Sequence, residues 1–93
     1  MEFSKLREIL KEKYYPIDSK SSPLFLLSVL FEEVGELAER IRRKDEKGIE
    51  EELVDVLFMV LSLANYFGID VEEKLFEKYV KGDPSKKWDL QSF

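Results

Sequence analysis

The sequence predicts an all-α protein, and three observations support that prediction. Apolar residues recur at three- and four-residue spacing along most of the 93-residue chain. Short polar stretches with Pro, Gly, Ser or Asp interrupt this pattern and divide the chain into about four helices. No stretch alternates apolar and polar residues as a half-buried strand does. We therefore expect one domain over residues 1–93, built as a helical bundle.

The first half of the chain predicts two helices. Apolar residues at helical spacing predict an amphipathic helix over about residues 2–14. The following segment, YYPIDSKSSP, predicts a loop because it is rich in Pro, Asp and Ser. Ser22 can cap the next helix, with Pro23 at its first position. That second helix is expected to run over about residues 23–44.

The second half predicts two more helices and a tail. The polar stretch DEKG (45–48) is expected to separate the second helix from a third over about residues 49–67, which ends at Gly68. Such a short connection makes helices 2 and 3 antiparallel neighbours. Asp70 then caps a fourth helix over about residues 71–81. The domain core is expected over about residues 10–82, with 83–93 as a C-terminal tail.

Composition excludes several kinds of chemistry. The chain has no cysteine and no histidine, which excludes disulfides, thiol catalysis and His or Cys metal sites. Its net charge of −5 disfavours stable binding to nucleic acid. The charged N-terminus MEFSKLREIL is unlike a signal peptide, and no apolar run is long enough to span a membrane. We therefore expect a cytoplasmic protein whose chemistry uses carboxylates, lysines, hydroxyls or an oxygen-bound metal.

Two acidic clusters, EEVGE and EELVD, lie inside otherwise apolar runs. On a helical wheel Glu33 and Glu36 continue a face that is apolar upstream, and Glu33 borders a stripe that contains Val34 and Ile41. Glu52 and Asp55 are i, i+3 neighbours on the third helix. That helix is apolar nearly all round, so in a chain this small it predicts burial against a partner subunit.

Antiparallel packing of helices 2 and 3 would bring the carboxylates of both clusters together. Carboxylates that share one partly buried space repel each other unless a cation lies among them. An all-oxygen ligand set selects a hard cation, Mg²⁺ or Mn²⁺, and Mg²⁺ so held keeps positions open for water and phosphates. The sequence therefore favours metal-assisted phosphoryl or nucleotidyl chemistry. The alternative is that the acidic residues only favour the helix macrodipole, form i, i+4 ion pairs or face solvent.

The two clusters have the form EExxE followed by ExxD, and the match extends to the surrounding helices. LFEEVGELAERIRR and EELVDVLFMVLSLANYFGIDVEEKLFEKY resemble the central helices of the MazG-like, all-α nucleoside triphosphate pyrophosphohydrolases. The resemblance covers roughly residues 10–82. It implies a MazG-like bundle that hydrolyses an NTP or dNTP to the monophosphate and pyrophosphate in a house-cleaning role. It also implies assembly as a homodimer or homotetramer.

The resemblance assigns metal and catalytic roles residue by residue. Glu33, Glu36, Glu52 and Asp55 match the family's Mg²⁺ ligands, and Glu32 matches a further acidic position, a candidate base or ligand of a second metal ion. It implies that Mg²⁺ binds the triphosphate while a carboxylate orients or deprotonates a water that attacks the α-phosphorus.

The resemblance also suggests substrate-binding residues. Lys78 and Lys81 lie where relatives place basic residues, and Asn65 fits the Asn that follows the core helix. The simpler alternatives are lysines that favour the helix dipole and a polar residue near a helix end. Leu30 and Phe31 occupy the region where many relatives have a Trp, and Trp88 stands in the tail. Base and sugar preference are therefore left open.

Two other functions remain open at this point. The chain could be a catalytically silent helical oligomer that binds a nucleotide or a protein without cleaving anything. The acidic cluster could instead be a structural metal site.

Overall fold

The computed structural model describes residues 2–82 and confirms an all-α fold, with no strand in that range. The helices in this range are α1 Phe3–Asp18, α2 Pro23–Arg42, α3 Glu46–Tyr66 and α4 Val71–Leu75, which continues as a π-helix over Phe76–Lys81. The predicted tail, with Trp88, lies outside the described residues.

Helix α3 is the centre of the fold, and α1 and α2 both pack against it. The edge of the Tyr14 ring meets Phe58 at a centroid distance of 4.9 Å, and nearer the start of α1 Arg7 bonds Asn65. The residue numbers rise on α1 as they fall on α3, so the two helices are antiparallel. Helix α2 is also antiparallel to α3, as its short connection to α3 predicted.

The chain by itself buries little apolar surface. Within residues 2–82 the buried hydrophobic residues are Leu26, Met59, Leu61 and Ala64. Many large apolar side chains are exposed instead, and Val34 and Ile41 are among them. The apolar stripe of α2 therefore extends onto the outer surface of the chain, while the side chain of Glu33 is partly buried.

The first helix is longer than predicted. The sequence indicated a loop from Tyr14 onward, but α1 continues to Asp18 with Pro16 inside its last turns. A proline removes one backbone donor, which disrupts a helix least near its end. The Tyr14–Phe58 contact holds this part of α1 on α3, so tertiary packing outweighs the proline.

The third helix begins earlier than predicted. The stretch DEKG was expected to be a break, but Asp45 is an N-cap whose Oδ1 accepts from the Gly48 amide at 3.0 Å. The chain reverses one residue earlier, at Lys44, which has a positive φ of 58°. The Asp45 amide also donates to the Arg40 carbonyl at 3.0 Å, which closes the end of α2.

The corner between α3 and α4 follows the predicted capping. Gly68 has a φ of 65°, and the Ile69 amide donates to the Ala64 carbonyl at 2.8 Å, as in a Schellman motif. Asp70 Oδ1 accepts from the Glu73 amide at 3.1 Å and caps α4. The axis bends by 112° between α3 and the helical segment Val71–Lys81. The second half of the predicted fourth helix is thus helical but wound as a π-helix.

No single helix in the described part of the chain is both long and apolar enough to cross a membrane. Taken together, α3 and the segment Val71–Lys81 are long and apolar enough by length and composition alone, but a bend of 112° separates them.

Candidate metal centre

Three of the predicted ligands meet where α2 packs against the first half of α3. Glu33, Glu36 and Glu52 each offer a carboxylate oxygen, and these oxygens lie within 4.8 Å of one another. Glu33 and Glu36 share a face of α2 because three residues are almost one helical turn. Glu52 reaches them from α3 because the two helices run antiparallel. We call these three residues the carboxylate trio.

The trio is partly buried, and two of its oxygens lack protein partners. Glu52 is 7% exposed, and Glu33 is partly buried. Glu33 Oε2 and Glu52 Oε2 are both buried without a hydrogen-bond partner. Buried polar atoms are rarely left unpaired, because an unpaired group loses its hydration without compensation. The trio therefore has acceptor capacity that the described residues do not satisfy.

The crowding of carboxylates changes their acidity. The contact with Glu33, together with burial, raises the pKa of Glu52. The neighbouring Glu52 carboxylate raises the pKa of Glu36. A negative charge placed beside another negative charge favours the protonated acid, so the geometry itself disfavours the fully ionised trio.

A hard divalent cation fits this arrangement. Metal–oxygen distances of about 2.1 Å in an octahedron place two ligand oxygens about 3–4 Å apart. Small side-chain rotations would bring the three oxygens of the trio into that range. A bound cation would also satisfy the two unpaired oxygens and offset the repulsion among the three charges. The donor set is all oxygen, which suits Mg²⁺ or Mn²⁺.

The other two acidic candidates lie outside the trio. Asp55 is exposed on α3, beside a shallow hollow that Val54 also lines, although its charge contributes to the field at Glu52. Glu32 is exposed on α2, and its charge likewise reaches Glu36. The structure therefore brings together three of the four predicted ligands. The roles of Glu32 and Asp55 stay predictions.

Asn65 lies in a different part of the molecule and is 5% exposed. Its Oδ1 accepts from Arg7 Nη1 at 2.7 Å, and its Nδ2 donates to the backbone carbonyl of Arg7 at 3.3 Å. Helical rise puts it about 20 Å from Glu52 along α3. Within this chain Asn65 is therefore a link between α1 and α3, and its contact with substrate stays a prediction.

The two predicted phosphate-binding lysines are exposed on the π-helical segment. Lys78 Nζ lies 5.7 Å from the centroid of the Tyr79 ring, and Lys81 Nζ lies 5.7 Å from that of Phe76. Their segment follows the end of α3 that is farther from the trio. A surface hollow runs along α1 and includes no residue of the trio.

Comparison with known families identifies the family of this chain. The profile of the MazG nucleotide pyrophosphohydrolase domain matches residues 21–86. The chain belongs to the MazG family. The matched range contains α2 and α3, so it includes the whole carboxylate trio, while α1 lies before it.

One curated relative of this chain is itself uncharacterized. The chain is 38% identical over 73 residues to the uncharacterized protein YpjD of Bacillus subtilis (strain 168). The aligned region covers 68% of this chain and 60% of that protein. The MazG chain described here therefore spans less than two thirds of that relative's length.

Sequence reasoning missed Arg7 in this MazG chain. Arg7 bonds Asn65 and also forms an ion pair with Glu72, so it joins three helices. One signal was present in the sequence. Phe3, Arg7, Leu10 and Tyr14 share one face of α1, and an arginine within an apolar face predicts a buried partner.

Proposed function

We propose that this MazG chain is a Mg²⁺-dependent nucleotide pyrophosphohydrolase that converts an NTP or dNTP into the monophosphate and pyrophosphate. The observation that carries the proposal is the carboxylate trio, with its two buried oxygens that lack a partner. The family match supports the reaction class. Mg²⁺ would supply charge neutralisation for the triphosphate and for the leaving pyrophosphate.

The chain's own residues have separable roles in this proposal. Glu33, Glu36 and Glu52 hold the cation, and Asp55 completes the set after a side-chain movement. Glu32, exposed next to the trio, orients a water and accepts its proton as that water attacks the α-phosphorus. Lys78 and Lys81 lie beyond the end of α3 that is farther from the trio, so they contact, as point charges, the phosphate oxygens of a nucleotide held by the trio of a neighbouring copy.

A homodimer or homotetramer is part of the proposal. The outer apolar surfaces of α2 and α3 are the natural contact between copies, because large apolar patches on a lone chain are unfavourable in water. Two copies would place these surfaces against each other and complete the small core of one chain.

The experiment is pyrophosphate release from a panel of NTPs and dNTPs, with Mg²⁺, with Mn²⁺ and with EDTA. Glu52→Gln is the test variant, and Glu51→Gln is the matched control because Glu51 is exposed on the next position of the same helix. We expect metal-dependent release that Glu52→Gln lowers by more than about 100-fold, since it removes a direct ligand rather than an outer contact. Glu51→Gln should retain the wild-type rate.

Three other outcomes would contradict the proposal, the first two by rejecting the activity and the third by rejecting the role of the trio. Nucleotide binding without release from any member of the panel would indicate a silent binding module. A large loss of thermal stability in EDTA without nucleotide, with no release under any condition, would indicate a structural metal site. Equal rates for wild type and Glu52→Gln would show that the trio does not carry the reaction.

A further inference from the structure

The corner between α3 and α4 is crossed by one side chain from α1. Arg7 donates from Nη1 to Asn65 Oδ1 at 2.7 Å, at the end of α3. The same guanidinium donates from Nη2 to Glu72 Oε2 at 3.3 Å and from Nε to Glu72 Oε1, in the first turn of α4. Arg7 therefore binds both helices on either side of the 112° bend.

These contacts are well shielded for an ion pair. The side chains of Arg7 and Glu72 are 13% and 16% exposed, whereas the surface pair Arg42–Glu39 has an arginine that is 75% exposed. Shielding from water strengthens charge-assisted hydrogen bonds and makes loss of one partner costly. Asn65 also returns a bond from Nδ2 to the Arg7 carbonyl at 3.3 Å, which fixes the orientation of its amide.

Apolar packing does little to hold the last helical segment within the described chain. Leu75, Phe76 and Val80 are 54%, 49% and 67% exposed. The capped turn at Gly68 and Asp70 sets where the helix starts, but the Arg7 contacts are the polar tie from α1 to it. A lysine could not replace this tie, because only the planar fork of arginine reaches both partners at once.

We propose that Arg7 is a positioning residue, which fixes the direction of the segment Val71–Lys81 and the amide of Asn65. It thereby places Lys78 and Lys81 for a phosphate of the nucleotide that the trio of a neighbouring copy holds. The proposal rests on the proposed function for its ligand. It assigns Arg7 no contact with the metal, because Asn65 and Glu52 are about 20 Å apart along α3.

That separation makes the effects on metal and on nucleotide distinguishable. We would compare Arg7→Ala, Arg7→Lys and Glu72→Gln with Arg42→Ala, a matched control that removes an exposed arginine ion pair. Mn²⁺ alone probes the trio. The α,β-methylene analogue of the nucleotide that the wild type hydrolyses fastest, with Mg²⁺, probes the complete site. Amide hydrogen exchange over residues 71–81 reports the order of the last helical segment.

We expect Mn²⁺ affinity to stay within about twofold in all Arg7 variants, as for distant independent sites. Analogue affinity should fall about tenfold in Arg7→Ala, the effect of one misplaced hydrogen bond, and KM should rise while kcat is retained. Exchange over residues 71–81 should accelerate, while exchange over α2 should not. Arg7→Lys keeps the charge and the fold, so it should still show the weaker analogue binding if the fork matters. It also serves as the test if Arg7→Ala does not fold.

Several results would overturn this proposal. Unchanged analogue affinity in Arg7→Lys, or faster amide exchange over residues 71–81 with no loss of affinity, would show that the Arg7 contacts only stabilise the fold. A parallel loss of Mn²⁺ and analogue binding would mean general disruption of the fold. Absence of hydrolysis by the wild type would reject the proposed function instead, and the Arg7 proposal would fall with it.

Discussion

At the scale of single residues, the carboxylate trio places negative charges close together without stabilising the folded chain. Glu52 is buried with an unpaired oxygen, and Glu33 and Glu36 face it across the α2–α3 contact. Replacing such a group by an uncharged residue of the same shape commonly stabilises a protein. The trio therefore has the character of a functional site that lowers the stability of the metal-free chain.

The trio predicts an unusual pH dependence for the metal-free protein. Because Glu33 and burial raise the pKa of Glu52, and because Glu52 raises that of Glu36, the folded chain binds more protons than the unfolded chain just above the ordinary value of 4.5. Their contribution to stability is present below 4.5 and is lost as the pH rises through the raised values. We expect the melting temperature in EDTA to fall as the pH rises above 4.5, as calorimetry would show.

Two comparisons test the origin of that dependence. Glu52→Gln should flatten the profile and raise the melting temperature near neutral pH, and saturating Mg²⁺ should reverse the loss in the wild type. Glu39 and Asp70 affect the pH dependence of stability in the opposite direction. Arg42 lowers the pKa of Glu39, and the Glu73 amide lowers that of Asp70. Their contributions are lost only as the pH falls through the lowered values. A wild-type melting temperature in EDTA that does not fall relative to that of Glu52→Gln as the pH rises above 4.5 would contradict the trio's role.

Replacing each of two glycines by alanine is expected to change the free energy of unfolding in opposite directions. A Cβ on Gly48 would lie 2.4 Å from Asp45 Oδ2 and 2.7 Å from Arg40 Cδ, so Gly48→Ala must displace the N-cap of α3. We expect it to lower the free energy of unfolding by about 0.5–2 kcal/mol, the cost of losing a helix N-cap. A Cβ on Gly35 meets nothing within 4 Å, so Gly35→Ala should raise it by about 0.5–1 kcal/mol. Urea titration of both variants measures the difference.

At the scale of elements, the turn between α2 and α3 sets the spacing of the trio. Lys44 adopts a left-handed conformation with a φ of 58°, and the backbone bond from Asp45 to Arg40 closes the turn. A side chain in that conformation costs about 1–2 kcal/mol, which glycine avoids. The antiparallel register that brings Glu52 to Glu36 is thus held by a strained turn.

Lys44→Gly should therefore stabilise the protein. We expect a gain of about 1 kcal/mol, or a rise of about 4–8 °C in melting temperature. Lys47→Gly is the matched control, because Lys47 lies in the first turn of α3 and glycine disfavours a helix. A destabilised Lys44→Gly variant would show that the lysine side chain makes contacts that outweigh the backbone strain.

At the scale of the whole molecule, residues 2–82 leave more large apolar side chains exposed than buried. Leu53, Leu57 and Val60 form an exposed stripe on α3, on the helix that the sequence indicated was apolar nearly all round. A stripe at this spacing is the pattern with which a helix packs on another helix. The melting temperature should therefore rise with protein concentration, because association stabilises the folded chain by mass action.

Leu57→Glu tests this stripe directly. We expect light scattering to show a smaller species and the concentration dependence of the melting temperature to disappear, since a charge cannot be buried unpaired between copies. Lys47→Glu, on the exposed start of α3, is the control and should retain the wild-type assembly. A wild-type chain that is monomeric at every concentration would contradict the proposed assembly.

The sequence by itself determined the order of the helices, the caps at Ser22, Gly68 and Asp70, and the meeting of the two acidic clusters, but not the end of α1 or the start of α3. The helical period, Ser22 with Pro23, Gly68 and Asp70 are local signals, and each acts within a few residues, so sequence was enough to place them. The approach of Glu33 and Glu36 to Glu52 also followed, because a short connection forces antiparallel packing.

Only the tertiary structure decided the features that depend on contacts distant in sequence. Helix α1 continues through Pro16, where the neighbouring Tyr14 packs on Phe58. Arg7 donates a hydrogen bond to Asn65 because the antiparallel packing of α1 on α3 brings the start of α1 to the end of α3. The arrangement also places Asp55 outside the trio, on the exposed side of α3. Such outcomes depend on which faces meet, and the free energy of that packing exceeds the small local preferences that a sequence pattern reports.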